Sequence, residues 1–271
     1  MTRQRLLQDE ICDQLIVEKD GPTGWITFND PDRHNAVSYA MWAAIPVALD
    51  AFLRDPGIRS VVLTGAGEKA FVSGANISQF DALRTGTDAV EQYEVVAEAA
   101  QLALRDFPKP LLARIHGYCI GGGLNIALCC DLRIASEASS FSIPAGKLGL
   151  GYRFTAIQNL VRATGTANAL EIFLTADRFP AGQAREKGLL HAVAPREDLD
   201  ACLAGYLDKI NALAPLTLQA GKKMIHILAD RCADIDLDAM KALVVQCFDS
   251  DDYKEGKKAF AEKRRPVFKG R

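Results

Sequence analysis

The sequence predicts an α/β protein with a mostly parallel sheet system, followed by a helical C-terminal part. Short apolar runs rich in β-branched residues alternate with segments of helical spacing over most of the chain, whereas the pattern from Asp198 onward is helical only. The 49% hydrophobic and 24% charged content is ordinary for a soluble globular protein. Strand–helix alternation is typical of parallel strands joined by helices, and the helical remainder predicts a separate layer or an assembly surface.

The N-terminal part begins with a predicted β-hairpin. Leu15 to Asn29 is β-branched and alternating, with Gly21-Pro22 in its middle. The next stretch, Asn29 to Ser38, has the composition of a loop, and Ser38 is a candidate N-cap for a helix from about Tyr39 to Leu53. Arg59 to Gly65 is then predicted to be a buried strand, because it is short, β-branched and ends in glycine.

Gly65 to Ala70 matches the loose dinucleotide-binding pattern GxGxxA after a strand. That pattern requires a helix directly after the turn, whereas Phe71 to Gly74 has the character of a second short strand and turn. We therefore predict no NAD site here. Gly74-Ala75-Asn76 is instead interpreted as a strand-to-helix turn, followed by a helix with a break near Thr85 to Thr87 and a second helix from Asp88 to Arg105.

The stretch His116 to Asp131 is the most informative one. It follows a predicted strand, Pro110 to Ile115, and its three glycines, Gly121 to Gly123, open a segment with helical spacing. Glycine lets a backbone approach a ligand closely, and the first amides of a helix lack intrahelical partners. These amides favour negative charge, either a phosphate or an oxyanion that develops during a reaction. The alternative is a tight packing turn, which these residues alone do not exclude.

The rest of the chain is predicted to be mainly helical. A strand from Leu132 to Ala135 is followed by an irregular glycine-rich segment, Pro144 to Tyr152. Helices are then expected at about Phe154 to Gly165, Ala167 to Leu174, Gln183 to Lys187, Leu199 to Leu213, Pro215 to Ala229, Ile235 to Phe248 and Tyr253 to Arg265, with a loop at Asp177 to Ala181.

Composition narrows the function classes. A net charge of −2 and a sequence pI of about 6.1 give no basic field for nucleic acid. Seven cysteines without a CxxC spacing predict reduced thiols in a cytoplasmic protein, and the four scattered histidines predict no metal site. The charged N-terminus predicts no signal peptide, and no apolar run is long enough for a membrane span.

Four motifs in this order resemble the enoyl-CoA hydratase/isomerase family, the crotonase superfamily. They are the NDPDRHNAVS stretch that begins at Asn29, the turn at Gly74 to Asn76, the triple glycine, and FAEKRRPVF near the C-terminus. The resemblance extends from about Leu15 to Phe268. It implies the crotonase (ClpP-like) fold, an α/β spiral of ββα units over residues 1–199 with a helical oligomerisation region over residues 200–271. It also implies a homotrimer or a homohexamer.

The resemblance implies an acyl-CoA thioester as substrate, with no separate cofactor. The backbone amides of Ala75 and Gly122 would hold the thioester oxygen as negative charge develops on it. The residues expected to contact the substrate or its CoA are Arg33, Ala36, Lys69, Asn76, Ile77, Gly121 and Ala145, with Phe260 and Lys263 reaching the CoA of a neighbouring subunit. A solvated surface charge is the alternative for Arg33 and Lys69.

The chain departs from the family pattern at the acid/base positions. The resemblance implies two glutamates in a typical hydratase, and the corresponding residues here are Asn125 and Ala145. Hydration needs one group that activates water and one that delivers a proton. An asparagine side chain does not take up a proton and alanine has no functional group. The usual two-glutamate hydratase mechanism is therefore not expected.

Tyr152 is a further catalytic candidate, because it resembles a tyrosine in acyl-CoA decarboxylases of this superfamily. It would orient a carboxylate or protonate an enolate, and Arg153 would attract the carboxylate; the alternative is a half-buried aromatic on the pocket wall. Asn76, Ser142 and Lys147 are weaker candidates, and His116 is interpreted as structural. The predicted function is an acyl-CoA hydratase/isomerase-type lyase or isomerase. A malonyl-type decarboxylase and a non-catalytic acyl-CoA-binding homologue stay open.

Overall fold

The structure is a computed structural model that describes residues 3–7, 9–75, 87–148, 152–229, 242, 246, 249–264 and 266–271. Its strands are β1 (Gln4–Leu6), β2 (Leu15–Asp20), β3 (Thr23–Phe28), β4 (Ser60–Gly65), β5 (Ala70–Val72), β6 (Leu111–Ile115), β7 (Tyr118–Ile120), β8 (Leu132–Ser136), β9 (Ser140–Ser142), β10 (Phe179–Pro180) and β11 (Ala192–Ala194). Its α-helices are α1 (Tyr39–Arg54), α2 (Thr87–Asp106), α3 (Gly122–Leu128), α4 (Phe154–Thr175), α5 (Ala181–Glu186), α6 (Leu199–Asn211), α7 (Pro215–Ala229) and α8 (Asp251–Ala261). Short 3-10 helices lie at Pro31–Arg33, Ala145–Leu148 and Arg196–Asp198.

The strands form two sheets. A seven-stranded sheet has the order β1-β2-β3-β4-β6-β8-β11, and a four-stranded sheet has the order β10-β9-β7-β5. The pairs from β3 to β11 in the large sheet are parallel, as are β5–β7 and β7–β9 in the small one. The chain thus repeats one unit: a strand in the large sheet, a strand in the small sheet, then a helix. This is the ββα spiral that the resemblance implies.

Apolar burial explains the two layers. The main core combines the apolar faces of both sheets with α1 and α2, and includes the fully buried Trp42, Phe52, Phe71 and Phe141. A second cluster covers the other face of the large sheet, where Leu199, Leu203 and Leu207 of α6 pack. These leucines recur every four residues, which places them on one side of the helix. The large sheet is therefore buried on both faces, as parallel sheets usually are.

Most of the predicted elements are confirmed within a few residues. The hairpin turns at Gly21, which has a φ of +54°, and the break expected near Gly165 is a non-helical residue between two helical halves of α4. The residues after Gly67 form β5 instead of a helix, so the geometry of a dinucleotide-binding turn is absent there. The expected helices that follow Asn76 and that span Ile235 to Phe248 lie mainly outside the described residues.

Several short elements were not predicted. The strand predicted at Pro110 to Ile115 is present, but β7, which was not predicted, lies between it and the triple glycine. The loop expected at Asp177 to Ala181 contains β10, and the segment expected to be irregular after Pro144 begins with a 3-10 helix. β11 was missed too. Strands of two or three residues are too short for a two-residue period to be recognised, and they form because a neighbouring strand pairs with them.

The N-cap of α1 gives a direct test of a sequence-based assignment. The Oγ atom of Ser38 accepts a hydrogen bond from the amide of Met41 at 3.2 Å and donates one to the Oε1 atom of Gln14 at 2.9 Å. We expect Ser38→Ala to lower the free energy of unfolding by about 1 kcal/mol, because both polar atoms then lack a partner. Urea denaturation checks this value. Ser73→Ala is the control, since that exposed hydroxyl makes a single long hydrogen bond of 3.4 Å to the described residues. Equal stability of the two variants would contradict the assignment.

Candidate active site

Two backbone turns meet at one edge of the small sheet. β5 and β7 pair in parallel, so their carboxyl ends lie together, and the turns at Gly74-Ala75 and Gly121-Gly122 follow them directly. A Cβ atom placed on Gly122 would lie 3.4 Å from the amide nitrogen of Ala75, and one placed on Gly74 would lie 3.9 Å from the amide nitrogen of Gly122. The two amides are therefore neighbours. Neither donates a hydrogen bond to an acceptor among the described residues.

A different structural constraint explains the glycine at each position of the triplet. Gly121 has a φ of +53°, in the region that side-chain-bearing residues avoid. Gly122 lets the chain pass close to Ala75, and a Cβ atom on Gly123 would lie only 2.1 Å from the carbonyl oxygen of Val72 in β5. The packing interpretation is confirmed for Gly123, whereas the anion-binding interpretation of the Gly122 amide stays a prediction. Gly123 is a packing glycine, whereas Gly122 leaves an accessible amide.

The two amides lie on the wall of a cavity of about 170 Å³. Most of the lining is apolar and comes from several parts of the chain. The lining residues are Trp42, Ser73, Gly74, Ala75, Tyr93, Glu94, Ala97, Gln101, Ile120, Gly121, Gly122, Asn125, Pro144, Ala145, Tyr152 and Arg153. A small, mainly apolar cavity with a few polar groups is typical of a site that takes a small organic group.

Asn125 and Tyr152 form a hydrogen-bonded pair on this wall. The Tyr152 hydroxyl donates to the Oδ1 atom of Asn125 at 2.8 Å, and the Tyr152 ring packs edge-to-face on Phe173 at a centroid distance of 5.5 Å. Burial raises the pKa of the Tyr152 phenol well above its ordinary value, and the hydrogen bond with Asn125 only partly offsets this effect. The phenol is therefore neutral at neutral pH, so Tyr152 is unsuited to remove a proton.

An ion pair that the sequence did not point to lies on the same wall. The guanidinium of Arg153 donates through Nε to the Oε2 atom of Glu94 at 2.6 Å. Glu94, Ala97 and Gln101 line the cavity from one face of α2, because they are three and four residues apart. That spacing could be recognised in the sequence, but the neighbouring residues do not indicate which part of the protein this helix face packs against.

Most of the predicted substrate and CoA contacts lie away from the cavity or outside the described residues. Arg33 is exposed and pairs with Asp30, Ala36 is buried, and Lys69 is exposed just before β5. Lys263 is exposed beyond α8. None of these four lines the cavity, whereas Gly121 and Ala145 do. Asn76, Ile77 and the side chain of Phe260 lie outside what the structure describes. The contacts to CoA therefore stay predictions.

Two weaker candidates, Ser142 and Lys147, and the structural His116 do not line the cavity. The Oγ atom of Ser142 and the Nζ atom of Lys147 both donate to the carbonyl of Ala176, at 3.3 and 2.6 Å. His116 is buried beside Arg114, and this burial, reinforced by that guanidinium, lowers the pKa of His116 to about 4. A neutral, buried imidazole away from the cavity supports the interpretation that His116 is structural.

Clusters of metal-ligating side chains and long apolar helices would indicate a metal centre or a membrane span. Within the described ranges, no group of three or more His, Cys, Asp or Glu side chains is placed to hold a metal ion. None of the described helices combines the length and the apolar character needed to cross a membrane.

Comparisons with known proteins point to one family. A sequence model of the enoyl-CoA hydratase/isomerase family matches residues 19–271. The chain is 34% identical to the (E)-benzylidenesuccinyl-CoA hydratase of Thauera aromatica, over 94% of this chain and 99% of that protein. It is 31% identical to the short-chain-enoyl-CoA hydratase of Clostridium acetobutylicum, over 93% of this chain and 95% of that protein. A crystal structure of an enoyl-CoA hydratase/carnithine racemase from Magnetospirillum magneticum superposes with a TM-score of 0.89 at 34% identity, covering 96% of this chain and 97% of that one.

Proposed function

Because the chain belongs to the enoyl-CoA hydratase/isomerase family, we propose that it is an enzyme that converts a small acyl-CoA thioester through its enolate. The observation that carries the proposal is the pair of neighbouring amides, Ala75 and Gly122, on the wall of an apolar cavity. As an enolate forms, negative charge develops on the thioester oxygen. Two fixed N–H donors stabilise that charge more than they stabilise the neutral thioester, which accelerates the reaction.

The size of the cavity supports a small acyl group. About 170 Å³ has room for a short chain, and its lining offers few polar partners besides the two amides, Asn125, Tyr152 and the Glu94–Arg153 pair. The two relatives described above are named as hydratases of CoA thioesters. Their names support an acyl-CoA thioester as the substrate class here. A homotrimer or a homohexamer is part of the same proposal.

Decarboxylation of a malonyl-type thioester is the second candidate. It is favoured by the Tyr152 phenol, which is protonated and lies at 2.8 Å from Asn125, and by Ala145 at the other acid/base position. Loss of carbon dioxide itself creates the enolate, so this reaction needs no base. Tyr152 would then protonate the enolate carbon.

One mass-spectrometric assay separates these reactions. The purified protein is incubated with crotonyl-, 3-enoyl-, malonyl- and methylmalonyl-CoA. Gain of water identifies a hydratase, loss of carbon dioxide identifies a decarboxylase, and a new retention time at constant mass identifies an isomerase. Binding of these thioesters without any conversion would instead support a non-catalytic acyl-CoA-binding protein and contradict the proposed function.

Tyr152→Phe tests the decarboxylation candidate. If malonyl-type thioesters are the substrates, we expect turnover to fall at least about tenfold, because the proton donor is lost while the ring keeps its contact with Phe173. KM should stay within about threefold, since phenylalanine has nearly the same shape. Steady-state kinetics on malonyl-CoA gives both values. Unchanged turnover with unchanged KM would exclude Tyr152 from the chemistry.

A further inference from the structure

Formation of an enolate from a carbon–hydrogen bond requires a proton acceptor in the cavity. The two positions that the family resemblance assigns to this task hold Asn125 and Ala145. Among the described residues that line the cavity, the ionisable side chains are those of Tyr93, Glu94, Tyr152 and Arg153. Among the described lining residues, the candidates for a base are therefore these four.

Three of the four are unsuited to accept a proton. The Tyr93 hydroxyl accepts a hydrogen bond from the Nε1 atom of Trp42 at 2.9 Å and donates one to the carbonyl of Val37 at 3.1 Å, and burial raises the pKa of Tyr93 to about 12. The Tyr152 hydroxyl keeps its proton and donates a hydrogen bond to the Oδ1 atom of Asn125. Arg153 is a guanidinium, which stays protonated in proteins.

Glu94 differs from the other three in chemical type and in placement. A carboxylate is one of the groups that act as general bases in enzymes. Its helix position is fixed by its neighbour Tyr93, which is 3% exposed and hydrogen-bonded in the core. Its carboxylate is held by Arg153, whose Nε lies 2.6 Å from Oε2, while the Glu94 side chain keeps 47% of its surface accessible. The Oε1 atom makes no hydrogen bond to any described residue.

We infer that Glu94 is the catalytic base of this site and that Arg153 is its positioning residue, an inference that depends on the proposed acyl-CoA function. Glu94 takes a proton from the carbon next to the thioester carbonyl. The electron pair of that carbon–hydrogen bond forms the enolate, whose oxygen lies against the amides of Ala75 and Gly122. The protonated Glu94 returns the proton to the same carbon, or to the far end of a conjugated chain. The second outcome moves a double bond, so the inference favours isomerisation over decarboxylation.

Hydrogen exchange tests the base whichever overall reaction the enzyme catalyses. The protein is incubated with butyryl-CoA in D₂O, and deuterium uptake next to the thioester is followed by mass spectrometry. Binding of butyryl-CoA is measured separately by calorimetry. We expect Glu94→Gln to slow exchange about 100-fold, because the amide does not accept a proton, with Kd within about threefold. Glu98→Gln is the matched control, since Glu98 lies one turn along the same helix and does not line the cavity.

The role of Arg153 has its own readout. Arg153→Met should slow exchange about tenfold, and the double variant Glu94→Gln/Arg153→Met should be no slower than Glu94→Gln alone, because Arg153 acts through Glu94. Additive losses would overturn the positioning role. Exchange at the wild-type rate in Glu94→Gln would overturn the assignment of Glu94 as the base. A slower exchange that is explained by weaker binding of butyryl-CoA would overturn it too. A wild-type protein that converts an acyl-CoA but does not catalyse exchange would overturn this inference alone, whereas one that neither binds nor converts acyl-CoAs would overturn the proposed function.

Discussion

Replacement of Gly122 by proline is expected to lower kcat about 10²- to 10³-fold while leaving the fold intact. Proline lacks the backbone N–H, so the substitution deletes one of the two proposed donors to the thioester oxygen. Gly122 is the first residue of α3, a position where proline is well tolerated, and its amide donates to no described acceptor. The measurement is steady-state turnover of the best acyl-CoA found in the mass-spectrometric assay, with circular dichroism as a check on folding.

Gly122→Ala is the matched control for this prediction. It adds a Cβ atom 3.4 Å from the amide nitrogen of Ala75, which is a tight but tolerable contact, and it keeps the N–H. We expect a loss of less than about tenfold, well below the effect of removing a donor. Equal losses in the two variants would mean that space near Ala75 matters and that the Gly122 amide is not a donor in the transition state.

Replacement of Asp131 by alanine is expected to lower the free energy of unfolding by about 3 kcal/mol. The Oδ2 atom of Asp131 accepts hydrogen bonds from the Leu111 amide and from the Nζ atom of Lys222, each at 2.7 Å, and Oδ1 lies 3.4 Å from Nε2 of His226. The carboxylate thus joins the start of β6 to α7. Its removal leaves a largely buried ammonium and a backbone amide without this partner. Chemical denaturation at pH 7 measures the loss, and Asp50→Ala is the control, because its exposed pair with Arg54 should contribute less than about 1 kcal/mol.

The stabilisation from Asp131 should depend on pH. Burial raises the pKa of this carboxyl, but hydrogen bonds from His226, Lys222 and Leu111 outweigh burial, so its folded-state pKa lies below the ordinary value. A carboxyl with a lowered pKa stabilises the folded state fully above its unfolded-state pKa of about 3.9, and this contribution is lost as the pH falls through the lower folded-state value. The stability difference between the wild type and Asp131→Asn should therefore shrink below about pH 4. A difference that is equal at pH 7 and pH 3 would contradict this assignment.

The fold could be predicted where the hydrophobic pattern of a segment agrees with the capping and turn residues at its ends. Ser38 before an apolar helix and the Gly21 hairpin turn are local signals, and both elements formed as expected. β7, β10 and β11 carry too few residues for a pattern of their own. Their pairing depends on strands far away in the chain, which a local interpretation of the sequence does not include.

The site could be predicted only in part, for a similar reason. The turns at Ala75 and Gly122 can be recognised in the sequence by their small residues, and the structure places their amides side by side. Glu94 gives no such signal, because a glutamate on an amphipathic helix is usually a solvated residue. Only the packing of α2 beside Arg153 brings it to the cavity.

The proposed use of main-chain amides as donors has a consequence for how the site tolerates mutation during evolution. Every residue type except proline carries the N–H, so ordinary drift at positions 75 and 122 alters the shape of the site but seldom erases a donor. A side chain such as Asn125, Ala145 or Glu94 can be exchanged by a single codon change. If the amide pair receives the substrate oxygen as proposed, a lineage with this fold can acquire a new reaction by moving its acid or base from one element to another, while the amide pair is inherited with the backbone itself.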